Sequence, residues 1–235
     1  MKKIKIRGME EYSDNFLNIY PAEDFIPEWY RNSPPKIKNA NTELMINNPM
    51  NLTSTYKKCT PFLDALSSGY IVALSADIEV VIDDNEVPRI IWRTGRNIVA
   101  SHDVQQWDGL PYPSDCFPFV FIWNNQFSIN TPAGYSLLFT QPLNRFDLPF
   151  ESISGIVDAD LYNLAIGFPF FIKKGFSGII KKGTPIVQII PIKREDWERQ
   201  YINYDKNFSI TEKEKFRSTI KRSYKNNFWN RKKYK

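Results

Sequence analysis

Between residues 70 and 82, apolar positions first run together and then alternate, with Ile78, Val80 and Ile82 set against Asp77, Glu79 and Asp83. A period of two sends alternate side chains to opposite faces of a β-strand. Asp83-Asp84-Asn85 is a turn signal, and residues 87–94, with Ile90, Ile91 and Trp92, can return as a hairpin partner. Residues 117–129 are dense in β-branched and aromatic side chains, and 134–140, 167–173 and 185–192 are further strand-length apolar runs. Pro and Gly punctuate them, as in Thr131-Pro132-Ala133-Gly134 and Lys181-Lys182-Gly183-Thr184-Pro185. Short strands at this spacing predict a mainly β body, a compact barrel or sandwich. Ahead of it, residues 21–35 hold four prolines with Trp29 and Tyr30, which predicts an extended arm anchored on the body by its aromatics.

The period changes at the other end. Phe216, Ile220, Tyr224 and Phe228 recur every fourth residue, and Lys213, Arg217, Lys221 and Lys225 follow the same period on a neighbouring face. Ser209 and Thr211 are N-cap candidates, each with a glutamate three residues on, Glu212 or Glu214. This predicts a basic amphipathic helix whose aromatic stripe docks on the body while its lysines stay solvated. Three regions follow: an arm over 1–50, a β domain over 51–205 and a helical tail over 206–235.

Charge sharpens that division. Residues 211–235 carry ten Lys or Arg against Glu212 and Glu214, a net of +8, which leaves −3 on the rest of a chain whose total is +5. A mildly acidic body with a basic tail differs from a uniformly basic nucleic-acid binder, so nucleic-acid binding is expected to be weak or absent. The 235 residues can bury a sizeable core without covalent staples. No stretch approaches 18 uninterrupted apolar residues and the first eight lack a secretion-type apolar run, so the expectation is a cytoplasmic protein without membrane contact. Cys59 and Cys116 form no paired spacing and read as small core residues. The single histidine, His102, beside Asp103 and near Trp107, reads as structural because no nucleophile motif accompanies it. The cluster Phe117 to Trp123 reads as core rather than as a base-stacking platform. No glycine-rich phosphate loop, Gly-x-Ser-x-Gly elbow or Cys-x-x-Cys occurs.

One set of motifs rises above this background. Ser67-Ser68-Gly69-Tyr70 comes first, followed by Thr131-Pro132-Ala133-Gly134-Tyr135 leading a strand into Gln141-Pro142-Leu143-Asn144-Arg145. Next comes Gly155-Ile156-Val157-Asp158-Ala159-Asp160-Leu161-Tyr162, then Lys182-Gly183-Thr184-Pro185-Ile186-Val187-Gln188-Ile189-Ile190. In order and spacing this resembles the dUTPase and dCTP deaminase superfamily over residues 67–192, with an insertion around 95–120. The resemblance implies a dUTPase-like β-clip barrel and a homo-oligomer, often a trimer in the family. It places Asp158 where the family's water-activating aspartate stands, and it makes Asn144, Arg145, Gly155, Asp160, Tyr162 and Gln188 the nucleotide-contact candidates. A second resemblance, carried by Ile26-Pro27-Glu28-Trp29-Tyr30, the stretch from Lys58 to Asp64 and the stretch from Gly134 to Thr140, is to an uncharacterised family of tailed-bacteriophage proteins.

The family's chemistry carries over less than its turns. Its second-motif arginine and serine fall on Leu143 and Asn144, with Arg145 displaced beyond them, and its stacking tyrosine falls on Leu161 beside Tyr162. The first-motif aspartate falls on Ile71, and the basic tail stands where a glycine-rich closing motif would be. Nor does the strand after Asp160 supply a deaminase glutamate. Matches sit at turns and mismatches at ligand contacts, which fits a retained fold with a lost or altered site. The expectation is a non-catalytic, phage-type protein acting by assembly or binding, as a virion or host-takeover component without a cofactor, in the host cytoplasm or in the virion. The alternative is a divergent pyrophosphatase for deoxynucleoside triphosphates, using Mg²⁺ and Asp158 as general base. The third reading is a nucleic-acid-associated protein acting through the tail.

Overall fold

The computed structural model describes residues 2–8, 18–36, 54–217 and 223–235. The arm contributes β1 (Lys5–Gly8) and β2 (Ile19–Pro21), then a 3-10 turn over Ala22–Phe25 and a short helix α1 (Glu28–Asn32). After a second 3-10 turn, Tyr56–Lys58, comes α2 (Thr60–Ser67), which starts where Pro61 can occupy the first helical turn without losing a hydrogen bond. The body continues through β3 (Tyr70–Ala73), β4 (Ile78–Ile82), β5 (Pro88–Trp92), β6 (Val99–Ser101), β7 (Cys116–Trp123) and β8 (Phe127–Asn130). It is completed by β9 (Tyr135–Thr140), β10 (Phe150–Ser152), β11 (Gly155–Val157), β12 (Phe168–Lys173), β13 (Gly178–Ile180) and β14 (Pro185–Lys193). Two helices follow, α3 (Lys206–Arg217) and α4 (Ser223–Asn227).

The protein is mainly β. Among the described residues the strands form four antiparallel sheets, ordered β11-β9-β14-β3-β2, β10-β12-β7-β6, β13-β4-β5 and β1-β8. All four face one hydrophobic core, which draws Val72, Ile78, Trp123, Ile129, Leu137, Phe150, Phe170 and Ile189 from eight different strands. At its centre Trp123 stacks on Phe170 with ring centroids 3.6 Å apart. The indole N–H of Trp123 donates to Ser152 Oγ (3.1 Å), which donates in turn to the Ile186 carbonyl (2.7 Å). Burying a tryptophan this deeply requires such a partner for its one polar atom.

Runs read as single strands are divided. Residues 70–82 break after Ala73, so β3 joins the five-stranded sheet while β4 pairs with β5 in another. Residues 117–129 break at 124–126, and β7 and β8 serve different sheets. The β4–β5 hairpin forms as its turn signal implies: Asp83 Oδ1 accepts from the Asn85 and Val87 amides, each at 3.0 Å. The insertion adds β6 and packs Trp107 and Tyr112 on Phe171. Burial pushes the Cys116 thiol up to about 11, so it stays protonated at neutral pH and serves as core, while His102 meets Gln106.

The arm is not extended throughout. Its 3-10 turn and α1 fold back so that Tyr30 is buried, stacked on Phe62 of α2 at 5.8 Å, whereas Trp29 is 41% exposed. The tail is helical, but its cap differs from the expected Ser209 or Thr211. Asp205 receives the Asn207 and Phe208 amides at 2.8 and 3.1 Å, and α3 begins three residues earlier than Ser209. Ile220 and the Phe216 side chain lie outside the described residues. Tyr224 and Phe228 stay exposed and stack on each other at 6.5 Å. Lys215 of α3 lies over the Phe228 ring. Docking on the body falls instead to the residues after α4: Trp229 and Lys232 bind Asp64 of α2, and Tyr234 meets Tyr70 of β3.

Candidate functional site

β11 and β9 pair so that Gly155 lies opposite Phe139 and Val157 opposite Leu137, with β14 on the other side of β9. This register carries Asp158 off the end of β11 beside Ser136, whose hydroxyl donates to it at 2.7 Å. The chain then turns sharply, with the Leu161 and Tyr162 amides both donating to the Asp158 carbonyl at 2.9 Å. That turn brings Asp160 under the amide of Gly134, which donates to its carboxylate at 2.8 Å. Gly134 sits at φ +79°, a conformation that favours glycine, so the matched glycine has a backbone reason to be there.

The pair of carboxylates is closed by Arg194, the residue after β14. Its guanidinium reaches Asp160 at 2.7 and 2.5 Å and Asp158 at 3.2 Å. The first of these contacts holds the Asp160 carboxyl down at about 2, with the Gly134 amide adding to the effect against the cost of desolvation. Asp160 is nearly buried there, whereas Asp158 is 54% exposed. Asp158 therefore reaches solvent while two partners hold its oxygen Oδ1.

The remaining candidates fall elsewhere. Tyr162 follows in the turn after Asp158, whereas Gly155, opposite Phe139, lies toward the Thr140 end of β9; both are exposed, and nothing approaches the position a Gly155 Cβ would take. Asn144 and Arg145 lie in the loop after Thr140, at the opposite end of β9. Asn144 has φ +60°, and the half-buried Arg145 makes a two-pronged pair with Asp147 at 2.8 and 2.9 Å. Gln188, opposite Thr140 in the β14–β9 ladder, is 1% exposed. Its amide donates to the Ala65 and Ser68 carbonyls at 2.9 and 2.7 Å, and its oxygen accepts the Leu143 amide at 2.8 Å. It ties α2, β14 and the 141–149 loop together, which leaves its polar atoms committed inside the protein.

Four residues along β9 separate Ser136, beside Asp158, from Thr140, beside Gln188, a span of about 13 Å at the rise of a strand. Within one chain the candidates thus form two clusters, one acidic and solvent-facing, the other internally paired. Arg194 and Ser136 were not legible as site residues. Arg194 sits in a charged run, Lys193-Arg194-Glu195-Asp196, without any motif, and only the pairing of Lys193 with Tyr135 aims it at Asp160.

This donor set does not suit Mg²⁺. The ion needs several oxygen ligands in octahedral order, and the two carboxylates are already bridged by a guanidinium. Among the described residues no group of three or more His, Cys, Asp and Glu could hold a metal. No helix among them is long and apolar enough to cross a membrane.

No family model matches the chain, and no curated protein matches it. Among solved structures it is similar to a mutant dUTPase from phage phi11 of S. aureus, at 10% identity and a TM-score of 0.35, covering 87% of this chain and 99% of that one.

Proposed function

We propose that the protein is a non-catalytic, dUTPase-like, phage-type component that acts by assembling with copies of itself, as a trimer. The observation that carries this reading is the state of Asp158. It is held by Ser136 and Arg194, and Arg145, the cation that would neutralise phosphate, is spent on Asp147 at the far end of β9. Hydrolysis of a phosphoanhydride requires a base, a water and cations to converge on one phosphorus. Here the base candidate and the cation candidate are each already paired inside the chain.

Assembly is supported by apolar surface in the wrong place for a monomer. β11 is the edge of the five-stranded sheet, and Ile156, Leu161 and Leu164 stand exposed beside it. The extended stretch after Arg194 carries Trp197, Tyr201, Ile202 and Tyr204, each at least 79% exposed. An open edge flanked by apolar side chains invites pairing with another chain.

The test is enzymatic. Purified protein with Mg²⁺ should hydrolyse dUTP and dCTP no faster than its Asp158→Asn variant. Turnover abolished by that substitution would replace this reading with the pyrophosphatase, its cations then coming from a second copy.

A further inference from the structure

Phe228 to Lys235 is the most chemically loaded segment outside the Asp158 site. Eight residues hold three aromatics, Phe228, Trp229 and Tyr234, interleaved with four cations, Arg231, Lys232, Lys233 and Lys235. The segment lies outside any helix or strand after α4, so its backbone can follow a strand of phosphates. Aromatic rings at intervals between cations are what single-stranded nucleic acid binds, with bases stacking on the rings and phosphates pairing with Lys and Arg.

The body already occupies Trp229, Arg231, Lys232 and Tyr234 with matching chemistry. Asp64 of α2 accepts the Trp229 indole N–H on both oxygens, at 3.0 and 2.9 Å, and also pairs with Lys232. Glu23 lies 3.5 Å from the Arg231 guanidinium. Tyr70 of β3 meets the Tyr234 ring in a T-shaped contact at 5.8 Å, and its hydroxyl donates to the Lys235 carbonyl at 3.4 Å. Two carboxylates thus stand where phosphates would. Asp64 is also largely screened from water, with its side chain 19% exposed, which strengthens its hold.

We propose that residues 228–235 are a binding segment for single-stranded nucleic acid, held shut against the body by Asp64 and Glu23. Ligand and body compete for the same indole, guanidinium and ammonium groups, so the apparent affinity is the open segment's affinity reduced by the fraction that is open. Charge on the body restrains the tail rather than merely diluting it. This surface is separate from the Asp158 cluster and from β11, so its failure would leave the assembly reading untouched.

The experiment measures anisotropy of a labelled 20-nucleotide oligothymidylate with the full chain. Asp64→Asn should tighten binding about tenfold, the scale of losing charge-assisted contacts from the closed state. Glu23→Gln should move it the same way by less. Adding Arg231→Gln and Lys232→Gln to Asp64→Asn should abolish the gain, and the affinity of Asp64→Asn should fall steeply with salt. Trypsin should cut after Arg231 and Lys232 faster in Asp64→Asn than in the unaltered chain. Faster cutting with unchanged oligothymidylate affinity would overturn the proposal, since the segment would be open with nothing to bind. Unchanged cutting would overturn it as well, since Asp64 would not be holding the segment. Heparin binding Asp64→Asn as tightly as oligothymidylate would reduce the segment to a general polyanion site and sink the role given to the rings. Should Asp64→Asn unfold, Glu23→Gln carries the same outcomes.

Discussion

Gly69 has φ +73°, and a Cβ added there would lie 1.9 Å from the carbonyl oxygen of Ile189, a backbone atom in the middle of β14. Both the conformation and the space exclude a side chain. Gly69→Ala is therefore expected to cost on the order of 3 kcal/mol or more, combining strain with a forced shift of β14 against β3. Chemical denaturation measures it, and a loss under 1 kcal/mol would contradict the geometry. Asp160 makes a different prediction. Its folded pKa, about 2, lies below the ordinary carboxylate value near 4. Its stabilising contribution is thus complete above about pH 4 and is lost as pH falls through that window. Arg194→Gln removes the main cause of the depression, so a carboxyl NMR titration should show the Asp160 midpoint moving upward. An unmoved midpoint would assign the depression to the Gly134 amide alone.

At the scale of elements, α2 is the part on which the others meet. Phe62 packs on Trp29, Tyr30 and Tyr56, Gln188 reaches the carbonyls of Ala65 and Ser68, and Asp64 holds Trp229 and Lys232. One eight-residue helix thereby anchors the arm, the central strand of the largest sheet and the end of the tail. Phe62→Ala should loosen the arm without dissolving the β body, because the main core contains no residue of α2. The expected cost is about 2 kcal/mol, the value of one large half-buried side chain. It should appear as faster proteolysis within residues 22–36 while the strands keep their protection from hydrogen exchange. Uniform deprotection of β9 and β14 would instead make α2 part of one cooperative unit with the β body.

At the scale of the molecule, the separation of Asp158 from Arg145 and Gln188 is the central fact. Only a second copy could bring the two ends of β9 to one place, and the exposed edge of β11 runs along β9 between them, ending at Asp158. If copies join there, Leu161→Glu with Leu164→Glu should halt assembly, since like charges would replace apolar contact at the seam. Sedimentation should then fall from about three times the 27.5 kDa chain mass to a single one. Unaltered sedimentation, or a single-chain mass before substitution, would move the interface elsewhere or remove it.

Much of this was decided locally. The alternation of Ile78, Val80 and Ile82, the Asp83 turn and the apolar runs at 134–140, 167–173 and 185–192 specify strands because side-chain period and turn chemistry act over a few residues. The matched glycines belong with them, since Gly69 and Gly134 answer to backbone conformation. Three short strands, β2, β6 and β10, show no such period, because a three-residue strand is made by its neighbours. α2 was likewise silent, as eight residues with one buried side chain carry little pattern. Roles depended on partners far along the chain. Nothing in Gln188 itself says that it binds backbone some 120 residues away, or in Asp158 that Arg194 would close over it. Nor does the aromatic stripe of the tail say that Trp229, outside it, would do the docking. Charge and hydrogen-bonding capacity are properties of single residues, but whether they are spent inside the protein or offered to a ligand is settled by register and packing, which exist only once the chain has folded.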